Sequence, residues 1–394
     1  MEIISLMKNT FYNEAKTKKK LAKFILSADR LSMGKMCSDF ESKFADVQGR
    51  RFCVLYNSGS SANLALISAL MASNKLKKED LVAFSALTWA TNVMPILQNG
   101  LNPVPVDVNE KSLNIGPNQL KSILEKFPNI KCLFITNLLG FSDDLNEIRN
   151  ICSTKGIILI EDNCESLGSE CSGKKLGNFG LASTFSFFVG HQMSTIEGGA
   201  VCTDSEELRD YLLMIRAHGW SRNLSNESKV KLKNKHKIDD FYDKYTFYEL
   251  GYNLRPTEIT GILGLEQLKY LDEIVNIREK NYQIFNKAVS KLSQTVNLKF
   301  PLMTRISNFA FPIVCKDKRS FIRLKNKFNI NKIEIRPIVA GNITSQPFFK
   351  KYAKKYGFSC PKAEKIHEEG FYFPNNPDLS EKDIERIVKT IEDL

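Results

Sequence analysis

The fold is written most plainly in Ser183-Thr184-Phe185-Ser186-Phe187-Phe188-Val189-Gly190-His191-Gln192-Met193-Ser194-Thr195-Ile196-Glu197-Gly198-Gly199-Ala200-Val201. The run Thr184 to Phe188 is aromatic and β-prone, which predicts a strand. A loop carrying one His follows, and Gly198-Gly199 opens a second short strand, Ala200-Val201-Cys202-Thr203. Working outward, Phe52–Tyr56, Leu81–Phe84, Pro103–Val106, Lys131–Thr136 and Gly156–Ile160 read as further strands. Helical segments fall between most of them: Ala62–Ala72, Trp89–Gln98, Gln119–Phe127 and Asp143–Thr154. Near-continuous apolar strands alternating with helices predict an α/β domain whose mostly parallel sheet is buried on both faces.

Ahead of the sheet, residues 11 to 48 read as helical around a loop, Ser27 to Gly34. Behind it, a helix over Glu206–Ala217 leads to His218-Gly219-Trp220-Ser221-Arg222. The Lys-rich piece 224–240 holds too few apolar residues for a core and reads as an exposed, mobile loop. A helix restarts at Pro256–Leu271. Strands at Asn308–Val314 and Lys332–Arg336 alternate with helices before a last helix, Glu381–Leu394. The expected domains are a large α/β unit over residues 1–255 and a smaller α+β unit over residues 256–394.

A chain of 394 residues is long enough for two such domains. No apolar run approaches the ~20 residues a membrane helix needs. Met1 to Thr10 shows no basic-then-apolar signal design, so a cytoplasmic protein without membrane contact is expected. The formal charge of +12 raises nucleic acid as a partner. The excess lies in scattered runs (Lys16 to Lys20, Lys229 to Lys235, Lys350-Lys351 with Lys354-Lys355), and no aromatic-rich motif accompanies them. They read as solvated faces with a general attraction for anionic substrates, not as a nucleic-acid surface. Nine irregularly spaced cysteines with no C-x-x-C pair argue for reduced, mostly buried thiols and against a zinc, disulfide or other metal framework.

Three further stretches carry chemistry. Asn57-Ser58-Gly59-Ser60-Ser61-Ala62 joins a strand to an Ala-rich helix, so free backbone N–H groups and the positive helix end converge there. Such a turn is either an ordinary N-cap or a phosphate seat. Asp162 and Glu165, in Glu161-Asp162-Asn163-Cys164-Glu165, follow a buried strand at the edge where open α/β sheets keep ligands; the alternative is a helix cap and a solvated acid. Trp89 stands just after a strand, placed to stack on a planar ring or to join the core. His218 reads as structural or substrate-lining, and His236 and His367 as surface residues.

Taken together and in order, these motifs resemble the DegT/DnrJ/EryC1/StrS family of sugar aminotransferases. The resemblance implies the aspartate-aminotransferase fold of pyridoxal phosphate (PLP) enzymes, type I, with a seven-stranded, mostly parallel sheet in the large domain. It also implies that Gly59, Ser60 and Ser186 seat the cofactor phosphate. Trp89 would stack on its ring, Asp162 hold the pyridine nitrogen and Glu165 reach the ring-hydroxyl side. Tyr248-Glu249-Leu250-Gly251-Tyr252-Asn253-Leu254-Arg255-Pro256 resembles the family segment whose Asn reaches the partner subunit's cofactor. Asn253 is therefore expected to act across a homodimer interface at which the active sites lie.

Members of the family hold PLP covalently on a Lys in the loop quoted above, and the matching position here is His191. Imidazole cannot make that bond, so the cofactor is expected to bind noncovalently. His191 still moves protons, because its ordinary pKa of ~6.5 leaves both forms populated near neutrality. His191, Glu197-Gly198-Gly199 and the segment Arg336 to Pro347 resemble a branch of the family that removes the C3 hydroxyl of nucleotide-linked 4-keto-6-deoxy sugars. For this chain the branch implies pyridoxamine phosphate (PMP) regenerated by L-glutamate, ammonia release, and a substrate site that includes Met33, Gly34, His218, Arg222, Arg336, Gly341 and Asn342. The branch often has a second His where this chain has Gln192, which can hydrogen-bond but not titrate. Iron–sulfur members need clustered thiolates, so the dispersed cysteines here favour the cluster-free type and a GDP-linked sugar. Two alternatives stay open from sequence: a nucleotide-sugar 4-keto aminotransferase, and a catalytically inactive scaffold.

Overall fold

A computed structural model describes residues 2–353 and 357–393; Met1, Lys354, Lys355, Tyr356 and Leu394 lie outside the described residues. Seven strands build the main sheet: β1 (Phe52–Tyr56), β2 (Leu81–Ser85), β3 (Asn102–Val106), β4 (Ile130–Thr136), β5 (Ile158–Asp162), β6 (Ala182–Ser186) and β7 (Gly199–Thr203). Their spatial order is β1-β7-β6-β5-β4-β2-β3. β7 runs antiparallel to both neighbours, and the remaining pairs are parallel. All these strands are buried along almost their whole length, which is why they read as unbroken apolar runs rather than as alternations.

Helices close both faces. On one, Gly59–Ala72 packs with Glu206–Arg216 over Val54, Val82, Phe134 and Val201. Leu66, Ile67, Ala69 and Leu70 are all fully buried, so this helix is apolar all round because it is enclosed all round. On the other, Pro117–Lys126 and Leu145–Thr154 cover Val104, Leu133 and Leu159. The C-terminal ends of β2, β4, β5 and β6 therefore open on one edge, and β1 runs out there into Ser58 and Gly59.

The His-bearing loop is pinned at its base by the ladder itself. Ser186 pairs with Gly199, and Phe187 N–H donates to the Gly198 carbonyl at 2.9 Å. Residues 188 to 197 are thus presented as a closed loop at the sheet edge.

The smaller unit holds a three-stranded antiparallel sheet of β8 (Ala310–Val314), β9 (Arg336–Pro337) and β10 (Gly370–Pro374), with β10 central. Helices Leu271–Val289, Lys318–Ile330 and Glu381–Glu392 gather around its Phe311, Phe371 and Phe373 core. Ile4 bridges to Ile333, so the N-terminal residues belong to this unit. The helix Glu258–Gln267, read from sequence as part of the second domain, packs on Lys35–Gln48: Cβ atoms at Gly261 and Gly264 would meet Cys37 N–H and the Phe40 ring at 2.4 and 2.2 Å.

Three elements differ from the sequence reading. The Lys-rich piece is no loop over Asn226–His236 but a helix capped by Ser225, with none of its side chains buried. The segment Trp89–Gln98 splits into a 3-10 turn, Ala90–Asn92, and a short helix, Met94–Gln98, which carries Pro95 in its first turn. The strand expected at Lys332–Arg336 pairs with β10 only over Arg336–Pro337.

Candidate active site

A cavity of about 470 Å³ opens at the C-terminal sheet edge. Its floor is Asp162, at the last residue of β5. One carboxylate oxygen accepts from Asn63 Nδ2 at 3.0 Å and Asn92 Nδ2 at 2.7 Å, and the other accepts from Cys164 N–H at 2.8 Å. Every partner is a donor, which fixes the direction of the carboxyl group. Neither Asn63 nor Asn92 figures in the sequence reading, although a lone Asn inside the apolar helix Gly59–Ala72 was a signal that it faces something polar.

The turn Ser58-Gly59-Ser60 forms one wall. Ser58 caps the helix by accepting from Ser61 N–H at 3.1 Å, which leaves the first N–H groups directed at the cavity. A Cβ at Gly59 would lie 2.6 Å from Ser186 Cβ, so only Gly lets this turn close against β6. Ser186 and Ser60 both line the space. Opposite, Trp89 keeps 52% of its surface exposed beside the cavity.

His191 closes the pocket from the loop, its ring edge-on to Phe188 and Phe309 at centroid distances of 6.0 and 5.7 Å. Its Nδ1 is buried without a hydrogen-bond partner. Enclosure pushes its pKa down to about 4, against the pull of the Asp162 charge, so the imidazole is neutral at physiological pH. The loop's backbone is braced from behind. Gln192 Nε2 donates to the carbonyls of Glu165 and Ser307, both at 2.6 Å, and the buried Arg278 guanidinium reaches the His191 carbonyl at 3.4 Å.

Glu165 also faces this cavity, with one carboxyl oxygen accepting from Leu139 N–H at 2.7 Å. Arg336 stands exposed at the rim, held by Glu334 at 2.7 Å. Phe309, Tyr372 and Met7 also line the space, carried here from distant segments by the fold alone, and Glu197 reaches it from the His191 loop itself.

Other expected residues lie elsewhere. Met33, Gly34, Arg222 and Asn253 line a second cavity of about 860 Å³, together with Arg30, Arg255 and Trp220. Asn253 is exposed there and accepts from Arg255 Nε at 3.0 Å. His218 packs edge-on against Trp220 and carries a left-handed backbone, φ 62°. Gly341 and Asn342 line neither cavity. Asn342 is buried, accepts from Thr344 N–H and donates to Glu364 at 2.6 Å, and so serves as a cap. A Cβ at Gly341 would fall 1.8 Å from His367 Nδ1, which places His367 beneath that turn and not in open solvent. His236 is exposed, as expected. All nine cysteines are free and only Cys164 is not fully buried. Among the described residues no three His, Cys, Asp or Glu side chains gather to hold a metal, and no helix is long and apolar enough to cross a membrane.

The sequence model of the DegT/DnrJ/EryC1/StrS aminotransferase family matches residues 13–392. The chain belongs to this family. It is 37% identical over 374 residues to GDP-4-keto-6-deoxy-D-mannose 3-dehydratase of Yersinia pseudotuberculosis, with 93% of each chain covered. Among solved structures, the Escherichia coli enzyme of that name with bound hydrated PLP matches at a TM-score of 0.89 and 32% identity, over 99% of this chain and all of the other. A structure of GDP-4-keto-6-deoxymannose-3-dehydratase with a trapped PLP-glutamate geminal diamine matches equally well, over 98% of this chain. The fold is that of these PLP enzymes.

The cavity fits such a cofactor on its own terms. Free N–H groups at Gly59 and Ser60, next to Ser186, offer a cradle that a Cβ would fill. A locked carboxylate lies on the floor, an exposed indole on the wall and a buried, unpartnered imidazole nitrogen at the side.

Proposed function

We propose that this chain is a PMP-dependent 3-dehydratase of a GDP-linked 4-keto-6-deoxy sugar, with L-glutamate as amino donor. The observation that carries the reading is His191 in the loop between β6 and β7, in a pocket that otherwise keeps a full set of PLP-binding features. Gly59, Ser60 and Ser186 hold the phosphate, Trp89 covers the ring face and Asp162 pairs with the pyridine nitrogen. When bound, the cofactor serves as an electron sink and, in its amine form, supplies the two electrons that deoxygenation consumes.

The chain's own part is proton handling and enclosure. A neutral imidazole is the base form, so His191 Nδ1 or Nε2 can accept a proton at once. Once protonated, the same ring can return a proton to a departing hydroxyl. Arg278 and Gln192 keep the loop from swinging out, and Phe188 and Phe309 keep water from the ring's edges. The atoms balance: one sugar and one glutamate give one 3-deoxy sugar, one 2-oxoglutarate and one ammonia.

The second cavity supports a homodimer with shared sites. Arg30, Arg222 and Arg255 surround it without a carboxylate partner among the described residues, which suits the diphosphate of a nucleotide sugar carried by the other subunit. Asn253 is offered to the partner from the same face.

Replacing His191 by Lys tests the assignment. The His191→Lys protein should retain cofactor after denaturation following borohydride reduction, which the wild type should not, and its ammonia release should fall at least about 100-fold, the low end for a lost acid–base group. Undiminished deoxygenation in that variant contradicts the role given to His191.

A further inference from the structure

The pocket holds two acids with contrasting surroundings. Asp162 receives three hydrogen bonds, from Asn63, Asn92 and the Cys164 N–H. Glu165 receives one, from Leu139 N–H, and its other oxygen is open to the cavity with no partner. Leu139 delivers that bond from a left-handed backbone, φ 55°, inside a fully buried turn, so the carboxyl group is tethered. From the other side, Gln192 holds the Glu165 carbonyl. The residue is only 9% exposed.

No cation pairs with it among the described residues. The titratable or charged groups that line the same pocket are Asp162 and Cys164 from its own segment, His191 and Glu197 from the loop and Tyr372 from β10, with Arg336 at the rim already bonded to Glu334. Asp162 and Glu197 are acids like Glu165 itself, and burial favours the uncharged forms of Cys164, His191 and Tyr372. A buried carboxylate with one donor and an anionic neighbour is the arrangement in which a proton is retained.

We propose that Glu165 stands in the pocket as an uncharged acid whose cavity-facing oxygen donates a hydrogen bond to the bound cofactor. The acceptor part of this assignment rests on the functional reading above. Burial, partly offset by the Leu139 N–H and reinforced by the Asp162 charge, agrees with it, pushing the group up to about 8. His191 is displaced the opposite way, down to about 4. Two groups driven apart in one site mark a base and an acid. The site thus presents a neutral base and a neutral acid together at pH 7, beside Asp162 with its three donors.

The test separates the proton from the acceptor. In the protein without added PLP, the infrared difference between wild type and Glu165→Gln at pH 6 should show a protonated-carboxyl stretch that disappears by pH 10. A carboxylate band alone at pH 6 overturns the proposal whatever the cofactor does. With PLP added, the wild-type cofactor absorbance should titrate around pH 8. The Glu165→Gln protein, which keeps a donor but cannot ionise, should bind PLP at pH 7 within about threefold of wild type and show no such titration, whereas Glu165→Leu should bind about tenfold more weakly, as for one lost hydrogen bond. An unchanged titration in Glu165→Gln, or affinity there as weak as in Glu165→Leu, contradicts the donor role. Failure of the wild type to take up PLP at all contradicts the functional reading and removes the acceptor, while the infrared band still decides the proton.

Discussion

At the scale of single residues, the site is governed by how many donors reach each titratable group. Glu165 has a folded pKa raised to about 8 from the usual carboxylate range, so the folded state binds the extra proton between about pH 4.5 and 8. Its contribution to stability is present below that window and is lost as pH rises through it. Glu165→Gln should therefore be more stable than wild type at pH 9, with the difference vanishing near pH 4.5; urea midpoints across that range give the comparison. A difference that grows toward acid contradicts the assignment. Asp162 differs in the number of its donors. Asn92→Ala removes its 2.7 Å donor and should weaken PLP binding about tenfold, read by equilibrium dialysis, at a cost in stability of about 1–3 kcal/mol. Asp162 and Glu165 were legible as acids following a buried strand, but how many donors each receives was not. That depends on Asn63, Asn92 and Leu139, brought together from three other segments.

At the scale of elements, two helix starts decide the site's shape. The first is Ser58-Gly59-Ser60, where Gly59→Ala sets a methyl group against Ser186 and should cost both stability and cofactor affinity. The second is the helix Lys35–Gln48, whose leading N–H groups at Gly34, Met36 and Cys37 donate to the buried Glu258 carboxylate at 2.8, 2.9 and 3.0 Å. Glu258→Gln turns one acceptor into a donor facing a donor, and should lower the unfolding free energy by about 1–3 kcal/mol in urea titrations. The strands of the main sheet were readable because burial on both faces demands unbroken apolar runs. β10 escaped notice because Gly370-Phe371-Tyr372-Phe373-Pro374 is bracketed by a Gly and a Pro and reads as a turn in isolation. The helix Asn226–His236 escaped because a helix polar on every side has no stripe to detect; Ser225, its cap, was the available signal. The amide of Asn342, a substrate contact on the sequence resemblance, is bonded to Thr344 and to Glu364, a partner that only the fold brings to it.

At the scale of the molecule, the two cavities and the exposed apolar surface belong to one account. Leu250, Tyr245 and Phe241 are 93%, 73% and 75% exposed in the single chain, in the segment that also carries Asn253. A second copy covering that segment would bury them and bring Asn253 to the partner's pocket. Leu250→Asp should shift sedimentation from dimer toward monomer and lower activity with it. If sites are shared, mixing His191→Asn with Asn253→Ala protein should restore about a quarter of wild-type activity, since half the dimers are hybrids with one intact site each. No recovery contradicts sharing. The central claim is that this site deoxygenates rather than aminates, and it is tested most directly by the stoichiometry of ammonia. The purified wild-type protein is incubated with PLP, L-glutamate and a GDP-linked 4-keto-6-deoxy sugar, and free ammonia is measured beside product mass. The account predicts ammonia equimolar with a product that has lost the C3 oxygen; an amino sugar formed without ammonia would contradict it.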